Sequence, residues 1–497
     1  MLNLNELSQP LEFWEYFEQI TKIPRCSEHE EKVRAFIKEE AKRLGFKTQI
    51  DNTGNLVVRI PAKSKKKQKV ILQCHMDMVC EKNEEIIHDF SKDPLKIKVI
   101  EIENESWITA EGTTLGADNG VGICYLLTLM KKIHDGELGY ESIEFDLLYT
   151  VDEEMGLNGA FKIDNDLIDG KYLINLDAED ENAVIIGCAG GIVTSFHIKN
   201  DTYKIDEEKD LIPMKLLISG LIGGHSGVDI HIGRGNSLKL IGQILWKLNK
   251  NYIIKIASID GGNRPNAIPR EANAIFFVKG DQYPDIKKFI SNIVMKINIL
   301  YESIEPDIKI SIKKLTDYND KEVLTKSIQD NLLNILYTIP NGLLSMHPKI
   351  KDLVFTSSNL AVIKTEKDKI QIILSQRSLS EYFKKVIWEK ANSLIQLSGL
   401  DVETIIESDY PGWTPEFDSK LLTLTKESYK EIFNKDILVK AIHAGLECGI
   451  LKKKFPHMEM ISIGPKNEGA HSPDERLLVK SVEKIWNFLL TLLKKLN

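Results

Sequence analysis

The sequence predicts an α/β protein: a mixed, largely parallel sheet covered by helices on both faces, interrupted by an inserted α+β domain. Three observations predict it. Apolar strand-like runs alternate with helix-like segments up to about residue 187, which is how a sheet buried on both faces reads. A differently paced succession follows the glycine-rich Gly187-Cys188-Ala189-Gly190-Gly191. Beyond about residue 405 a helix–strand alternation returns, so the first sheet is expected to be completed by the C-terminal segment.

In order, the first part predicts a helix over 30–44, a strand over 70–74, a helix over 121–133 and strands over 145–151 and 172–176. The inserted part predicts a strand over 214–219, a turn rich in glycine and histidine, and a helix over 236–248. Strands over 252–258 and 272–278, a helix over 283–300 and a strand over 308–312 follow. A similar succession then recurs, with a helix over 321–336, a strand over 370–374 and a helix over 381–397, as in an internally doubled domain. Strands over 437–442 and 459–463 and a terminal helix from 475 close the chain. The expected division is 1–187 and 406–497 for the catalytic domain, with 188–405 inserted.

A chain of 497 residues exceeds one ordinary core. Its 42% hydrophobic and 28% charged residues are those of a soluble globular protein. The formal charge is −8 and the lysines are scattered, which argues against a nucleic-acid groove. The densest basic run, Lys63 to Lys69, reads as a solvated turn. Glu6, Glu12, Glu15 and Glu18 with no basic opening argue against a secretory signal, and no apolar run approaches the ~18 residues of a membrane span. Six dispersed cysteines without a CxxC pair read as reduced thiols of a cytoplasmic protein. Among them, Cys74 reads as a small buried residue whose strand alternation turns it away from His75.

Chemistry-bearing residues sit directly after strand-like runs or in glycine-rich loops. They are His75 and Asp77 after Val70-Ile71-Leu72-Gln73-Cys74, Asp118 in Gly116-Ala117-Asp118-Asn119-Gly120, and Glu153 and Glu154 after Tyr149-Thr150-Val151-Asp152. Asp177 follows Leu173-Ile174-Asn175-Leu176, and His471 lies in Gly469-Ala470-His471-Ser472-Pro473. In an open α/β sheet such positions gather at the carboxyl edge of the strands. Two imidazoles with several carboxylates suit zinc, manganese or cobalt. A paired site needs one carboxylate reaching both ions, and Asp118 is assigned to it. Adjacent glutamates point in different directions, so Glu154 is assigned as ligand and Glu153 as general base. Asp77 is placed to accept the second ring N–H of His75. Each piece has a plainer reading: a structural histidine, a solvated acidic pair, a turn or helix cap. From the residues alone, a metallohydrolase and these separate readings both stand.

The motifs His75-Met76-Asp77, Gly116-Ala117-Asp118-Asn119-Gly120, Asp152-Glu153-Glu154-Met155-Gly156, Asn175-Leu176-Asp177 and His471-Ser472-Pro473 closely resemble those of the aminoacyl-histidine dipeptidases, within the wider group of dinuclear zinc dipeptidases, aminopeptidases and aminoacylases. The resemblance runs nearly end to end and implies a zinc-peptidase-like fold with a lid. It implies two divalent ions, zinc first with manganese or cobalt as alternatives. Asp118 would bridge them, His75 and Asp177 would bind one, and Glu154 and His471 the other. Attack by a water bridging the ions on the peptide carbonyl is the implied reaction. Aspartate rather than glutamate at 177 resembles the peptidase members. The resemblance extends to Gly223-Gly224-His225 and Gly261-Gly262-Asn263-Arg264-Pro265-Asn266. It implies that His225 steadies the oxyanion, that Asn266 and Arg377 grip the substrate backbone and carboxylate, and that Gly445 offers a backbone contact.

Gly233-Arg234-Gly235 lacks the spacing of a phosphate loop and reads as a turn. The expected substrates are Xaa-His dipeptides and a broader set including Cys-Gly, with no nucleic-acid or membrane partner. A deacylase with the same metals, or a metal-dependent binding protein, are the alternatives. The lid is expected to pair two subunits in a homodimer or, being doubled, to supply His225 within one chain; both readings stay open.

Overall fold

Val70, Ile71 and Leu72 are all fully buried, and the strand they belong to, Gln68–His75, lies inside an eight-stranded sheet. The structure is a computed structural model describing residues 7–65, 67–206, 208, 210–316, 318–348 and 350–497. Glu6 and Lys66, which entered the sequence reading, lie outside them. The chain divides into two compact units. One comprises the chain up to Cys188, Trp413–Ala441 and Leu446–Asn497; the other comprises Ala189–Gly412 and Ile442–Gly445.

In the first unit, Gln68–His75 pairs parallel with Ile143–Thr150 on one side and Tyr172–Asn175 on the other, and Glu459–Ser462 pairs parallel with Tyr172–Asn175. The flanks are antiparallel, through Leu56–Ile60 against Ile143–Thr150, Lys47–Ile50 against Leu56–Ile60, and Glu459–Ser462 against Ala183–Cys188. The sheet is therefore mixed, with its parallel pairs at the centre. Val70, Leu72 and Cys74 face an apolar core shared with helix Ala117–His134 and helix Val479–Leu496. Gln73 faces the other way and meets Glu447 of helix Glu447–Lys454. This alternation is what a strand with helices on both faces requires.

The second unit is built on an antiparallel sheet. Lys309–Lys314, Leu211–Ser219, Ala272–Lys279 and Ile254–Gly261 form one run, and Val354–Thr365, Lys369–Ser378, Gly190–Lys199 and Val402–Tyr410 another, joined at Gly261 and Ile363. Glycine is required at the seam, because a Cβ on Gly262 would stand 1.8 Å from the Ala361 carbonyl oxygen. Helices Ser237–Asn251, Tyr283–Tyr301, Lys326–Thr338 and Glu381–Leu397 belong to this unit.

Three expectations need correction. The helix read over 321–336 starts only at Lys326, because Glu322–Leu324 forms a strand paired with Thr202–Lys204. The C-terminal alternation does not begin inside 402–410, which is one strand paired along Gly190–Lys199. Its side chains are largely exposed, so it lacks the apolar alternation that marks a half-buried strand. The six cysteines are not all thiols: Cys26 and Cys80 form a disulfide, while Cys74, Cys124, Cys188 and Cys448 are buried thiols. The pair forms because the segment after His75 bridges back to Cys26, with Met78 donating its N–H to the Arg25 carbonyl. Lys67 and Lys69 of the basic run pair with Glu144, and Lys69 also with Asp146. Among the described residues no helix is long and apolar enough to cross a membrane.

Candidate metal centre

The strand Gln68–His75 ends on His75, 1% exposed, and the chain then turns through Met76 to Asp77, fully buried. His75 Nδ1 lies 3.2 Å from Asp77 Oδ1, and its Nε2 lies 2.9 Å from Asp118 Oδ1 and 3.3 Å from Asp177 Oδ1. Nδ1 lies against Asp77 and Nε2 against the other two carboxylates, so that, although burial opposes it, Asp177, Asp118 and Asp77 hold the imidazole well above its usual range. Asp77 does more than this. Its Oδ1 also accepts the Glu153 N–H at 3.1 Å, and its Oδ2 accepts the Glu154 N–H at 3.1 Å and the Ser27 hydroxyl at 2.8 Å. One buried carboxylate thus fixes both an imidazole and the backbone of the glutamate pair.

Asp118 stands where the chain enters the long helix Ala117–His134, with non-helical dihedrals at Asp118 and Asn119 and a cis peptide between them. Its Oδ2 lies 3.1 Å from His471 Nε2, which is also 3.1 Å from Glu154 Oε2. Two groups of potential ligand atoms result, His75–Asp118–Asp177 and Asp118–Glu154–His471, sharing Asp118. A further grouping of His75, Glu153 and Glu154 places Glu153 beside them. Glu154 Oε1 is buried without a hydrogen-bond partner. A mixed imidazole and carboxylate set this dense, with an orphaned buried oxygen, fits one or two divalent cations of the zinc, manganese or cobalt kind.

The electrostatics are those of carboxylates crowded out of water. Burial pushes Asp177 up to about 7, with Asp118 and Glu154 adding to it against the pull of His75. Burial, with Asp177, Glu154 and Glu447 nearby, raises Glu153 well above the usual range. Burial would raise Asp118 too, but hydrogen bonds to His471 and His75 outweigh it and hold it low. His471 is driven up to about 11 by its contacts with Asp118 and Glu154.

Several participants were not singled out in the sequence. Asn119 donates to Asp177 Oδ1 at 2.6 Å. Glu447, pushed up to about 7 by burial, accepts from Gln73 at 2.6 Å and Thr150 at 2.7 Å. Glu179, raised to about 8 by burial and by Asp118 and Asp177, accepts from Asn467 at 3.2 Å. Arg25 and Glu475 hydrogen-bond to the backbone of the loops that carry Asp77 and Asp118. None follows a strand-like run as a conspicuous imidazole or carboxylate pair would, except Glu179, two residues past Asp177.

His225, Asn266, Arg377 and Gly445 lie in the second unit. His225 and Ala267 are strand partners, and Asn266 accepts the Ser226 N–H on its carbonyl at 2.8 Å. His225 Nδ1 accepts from the N–H groups of Gly227 and Val228 at 3.2 and 3.1 Å. Its proton therefore sits on Nε2, making the ring a donor there. Asp229 fixes the turn by accepting the His225 N–H at 2.9 Å. Arg377 is 7% exposed and donates to the Tyr410 hydroxyl at 2.7 Å, while its Nε is without a partner. His443, two residues before Gly445, contacts Ser357 Oγ at 2.7 Å and is held down to about 3 by burial and by the Arg377 charge.

A mixed α/β sheet gathers this donor set and is split in sequence by an antiparallel unit, and the relatives of the chain place it among the hydrolases acting on peptide bonds. The chain belongs to peptidase family M20/M25/M40, whose model matches residues 71–495. It is 36% identical to the cytosol non-specific dipeptidase of Escherichia coli (strain K12), with 99% of each chain covered. The crystal structure of aminoacylhistidine dipeptidase from Vibrio alginolyticus matches with a TM-score of 0.85 at 34% identity, over 99% of this chain and 98% of that one. Aminopeptidase PepT from Bacillus cereus shares the fold, with a TM-score of 0.58 at 14% identity over 98% of this chain and 99% of that one. The resemblance read from the motifs is the family found.

Proposed function

We propose that this chain is a cytoplasmic dipeptidase that uses two divalent metal ions, zinc first among them, and that cleaves Xaa-His and other dipeptides, Cys-Gly included. The observation that carries the reading is the pair of ligand groups sharing Asp118, with Glu153 beside them and its backbone anchored on Asp77. The similarity to the Escherichia coli and Vibrio proteins, which are named as dipeptidases, supports the substrate class.

His75 and Asp177 would hold one ion, Glu154 and His471 the other, and Asp118 both. Bound there, divalent ions supply Lewis acidity toward the scissile carbonyl and make water acidic enough to attack near neutral pH. Asp77 keeps the His75 proton on Nδ1 and leaves Nε2 to ligate. Glu153 takes a proton from the attacking water on a carboxylate oxygen and returns it to the leaving amine nitrogen. No covalent bond to the enzyme is needed. In the second unit, the Nε2–H of His225 is assigned to the developing oxyanion, the guanidinium of Arg377 to the substrate carboxylate, and Asn266 and Gly445 to the substrate backbone. Pairing of two subunits through the second unit is the proposed assembly.

The test is a panel of dipeptides and N-acetyl amino acids offered to protein stripped by chelator and resupplied with zinc, manganese or cobalt. Dipeptide cleavage restored by metal is expected. Restored deacylation with no dipeptide cleavage would replace the peptidase reading with a deacylase, and silence under every metal would leave a binding protein.

A further inference from the structure

Arg25 is a cation with 1% exposure, and Glu475, equally buried, is the carboxylate whose charge acts on it most strongly. Their hydrogen bonds among the described residues go mainly to backbone, so what they do is read from the backbone they hold. Arg25 Nη1 donates to the carbonyls of Met76 at 3.1 Å and Asp77 at 2.8 Å, and its Nη2 donates to the Gly116 carbonyl. Glu475 Oε2 accepts the N–H groups of Leu115 at 2.7 Å and Gly116 at 2.8 Å, while Oε1 accepts that of Asp118 at 3.1 Å and the Asn467 amide at 3.4 Å. Gly116 is thus gripped at both ends, its N–H by Glu475 and its carbonyl by Arg25. It must be glycine: its φ is +66°, and a Cβ would stand 2.5 Å from Arg25 Nη2 and 2.7 Å from Met78 Sδ.

The three segments joined in this way carry His75 and Asp77, Asp118, and His471. Glu475 closes the loop of His471, with its own N–H bonded to the Ser472 carbonyl. A buried charge costs several kcal/mol unless hydrogen bonds and an opposite charge compensate it. Ordinary loop closure does not require two such groups.

We propose that Arg25 and Glu475 are positioning residues that lock the His75, Asp118 and His471 loops in mutual register, and so set the tightness with which two metal ions share Asp118. This rests on the reading of the cluster as a two-metal site. Among the described residues, the hydrogen bonds of the pair go to peptide groups at and beside the ligands and to the Asn467 amide, and it is through these that the pair acts.

The experiment is titration of metal-free wild-type protein, Glu475→Gln and Arg25→Lys with Co²⁺, followed by the visible spectrum of bound cobalt, with the melting temperature of each metal-free protein measured in parallel. Wild type should take up two ions. Each variant should lose affinity for at least one of them by about 10- to 100-fold and show an altered spectrum, with kcat falling more than KM rises. Arg25→Lys keeps the charge but cannot span the carbonyls that the guanidinium joins, so it separates geometry from electrostatics. Folded variants with wild-type stoichiometry, affinity and spectrum would overturn the proposal. Failure of both variants to fold would also overturn it, because the pair would then serve the fold. Wild-type protein that takes up no cobalt would refute the two-metal reading instead, which keeps the two failures apart.

Discussion

At the scale of single residues, the separation of tasks between Glu153 and Glu154 rests on a backbone fact. Both N–H groups bond to Asp77, so both positions are fixed: Glu154 Oε2 meets His471, while Glu153 lies beside His75 and Glu154, with the Asp177 charge acting on it. Replacement of Glu153 by alanine should leave two-ion binding near the wild-type level and lower kcat by at least about 10²-fold. Metal titration alongside turnover checks this, and normal turnover in the metal-loaded variant would remove Glu153 from the proton-transfer role. Most of the candidate ligand set was legible because imidazoles and carboxylates directly after apolar runs are conspicuous. Arg25, Asn119, Glu447 and Glu475 were not, because they act from positions whose partners lie up to several hundred residues away. No local spacing announces such contacts.

At the scale of elements, the ligand positions depend on how closely strand ends approach one another. Ile463 donates its N–H to the Asn175 carbonyl, and a Cβ on Gly464 would lie 1.7 Å from the carbonyl oxygen of Ala178, the residue after Asp177. That clash is with backbone and no rotamer relieves it. Gly464→Ala should destabilise the metal-free protein by about 2–4 kcal/mol and weaken cobalt binding by shifting Asp177. Gly139→Ala, where a Cβ meets nothing within 4 Å, should change stability by less than about 0.5 kcal/mol. Thermal melts of both variants with and without cobalt decide it; equal stability would mean that the turn after Asp177 yields freely. Central strands were readable in the sequence because runs such as Val70-Ile71-Leu72 are buried on both faces. The edge strands Lys47–Ile50 and Val402–Tyr410 were not, since most of their side chains face solvent and carry no apolar signal.

For the molecule as a whole, the candidate centre makes stability depend on pH in a direction that bound metal should reverse. Burial raises Asp177 and Glu447 to about 7 and Glu179 to about 8, and raises Glu153 in the same direction. A group whose folded pKa exceeds its unfolded value holds its proton in the folded state after the unfolded chain has released it. The folded state then binds more protons, and stability falls as pH rises between the two values. For these carboxylates the window runs from about 4, the unfolded value, to about 7 or 8. His471, raised to about 11 by Asp118 and Glu154, adds the same sign above its ordinary value of about 6.5. His443, held down to about 3 by burial and Arg377, has the opposite sign below about 6.5, so metal-free protein should lose melting temperature most clearly from about pH 6.5 to about pH 8. A bound cation favours the ionised carboxylates and neutral imidazoles that protons oppose, so its affinity, and the stability it adds, rises over the same interval. Melting temperature at saturating zinc or cobalt should accordingly fall far less with pH than in the metal-free protein, or rise. Calorimetric binding across the range should show proton release that diminishes toward pH 8 as Asp177 ionises by itself. Parallel pH profiles with and without metal would mean that the ions do not bind among these carboxylates, and the assignment of Asp118, Glu154, Asp177 and the two histidines as ligands would fall with that result.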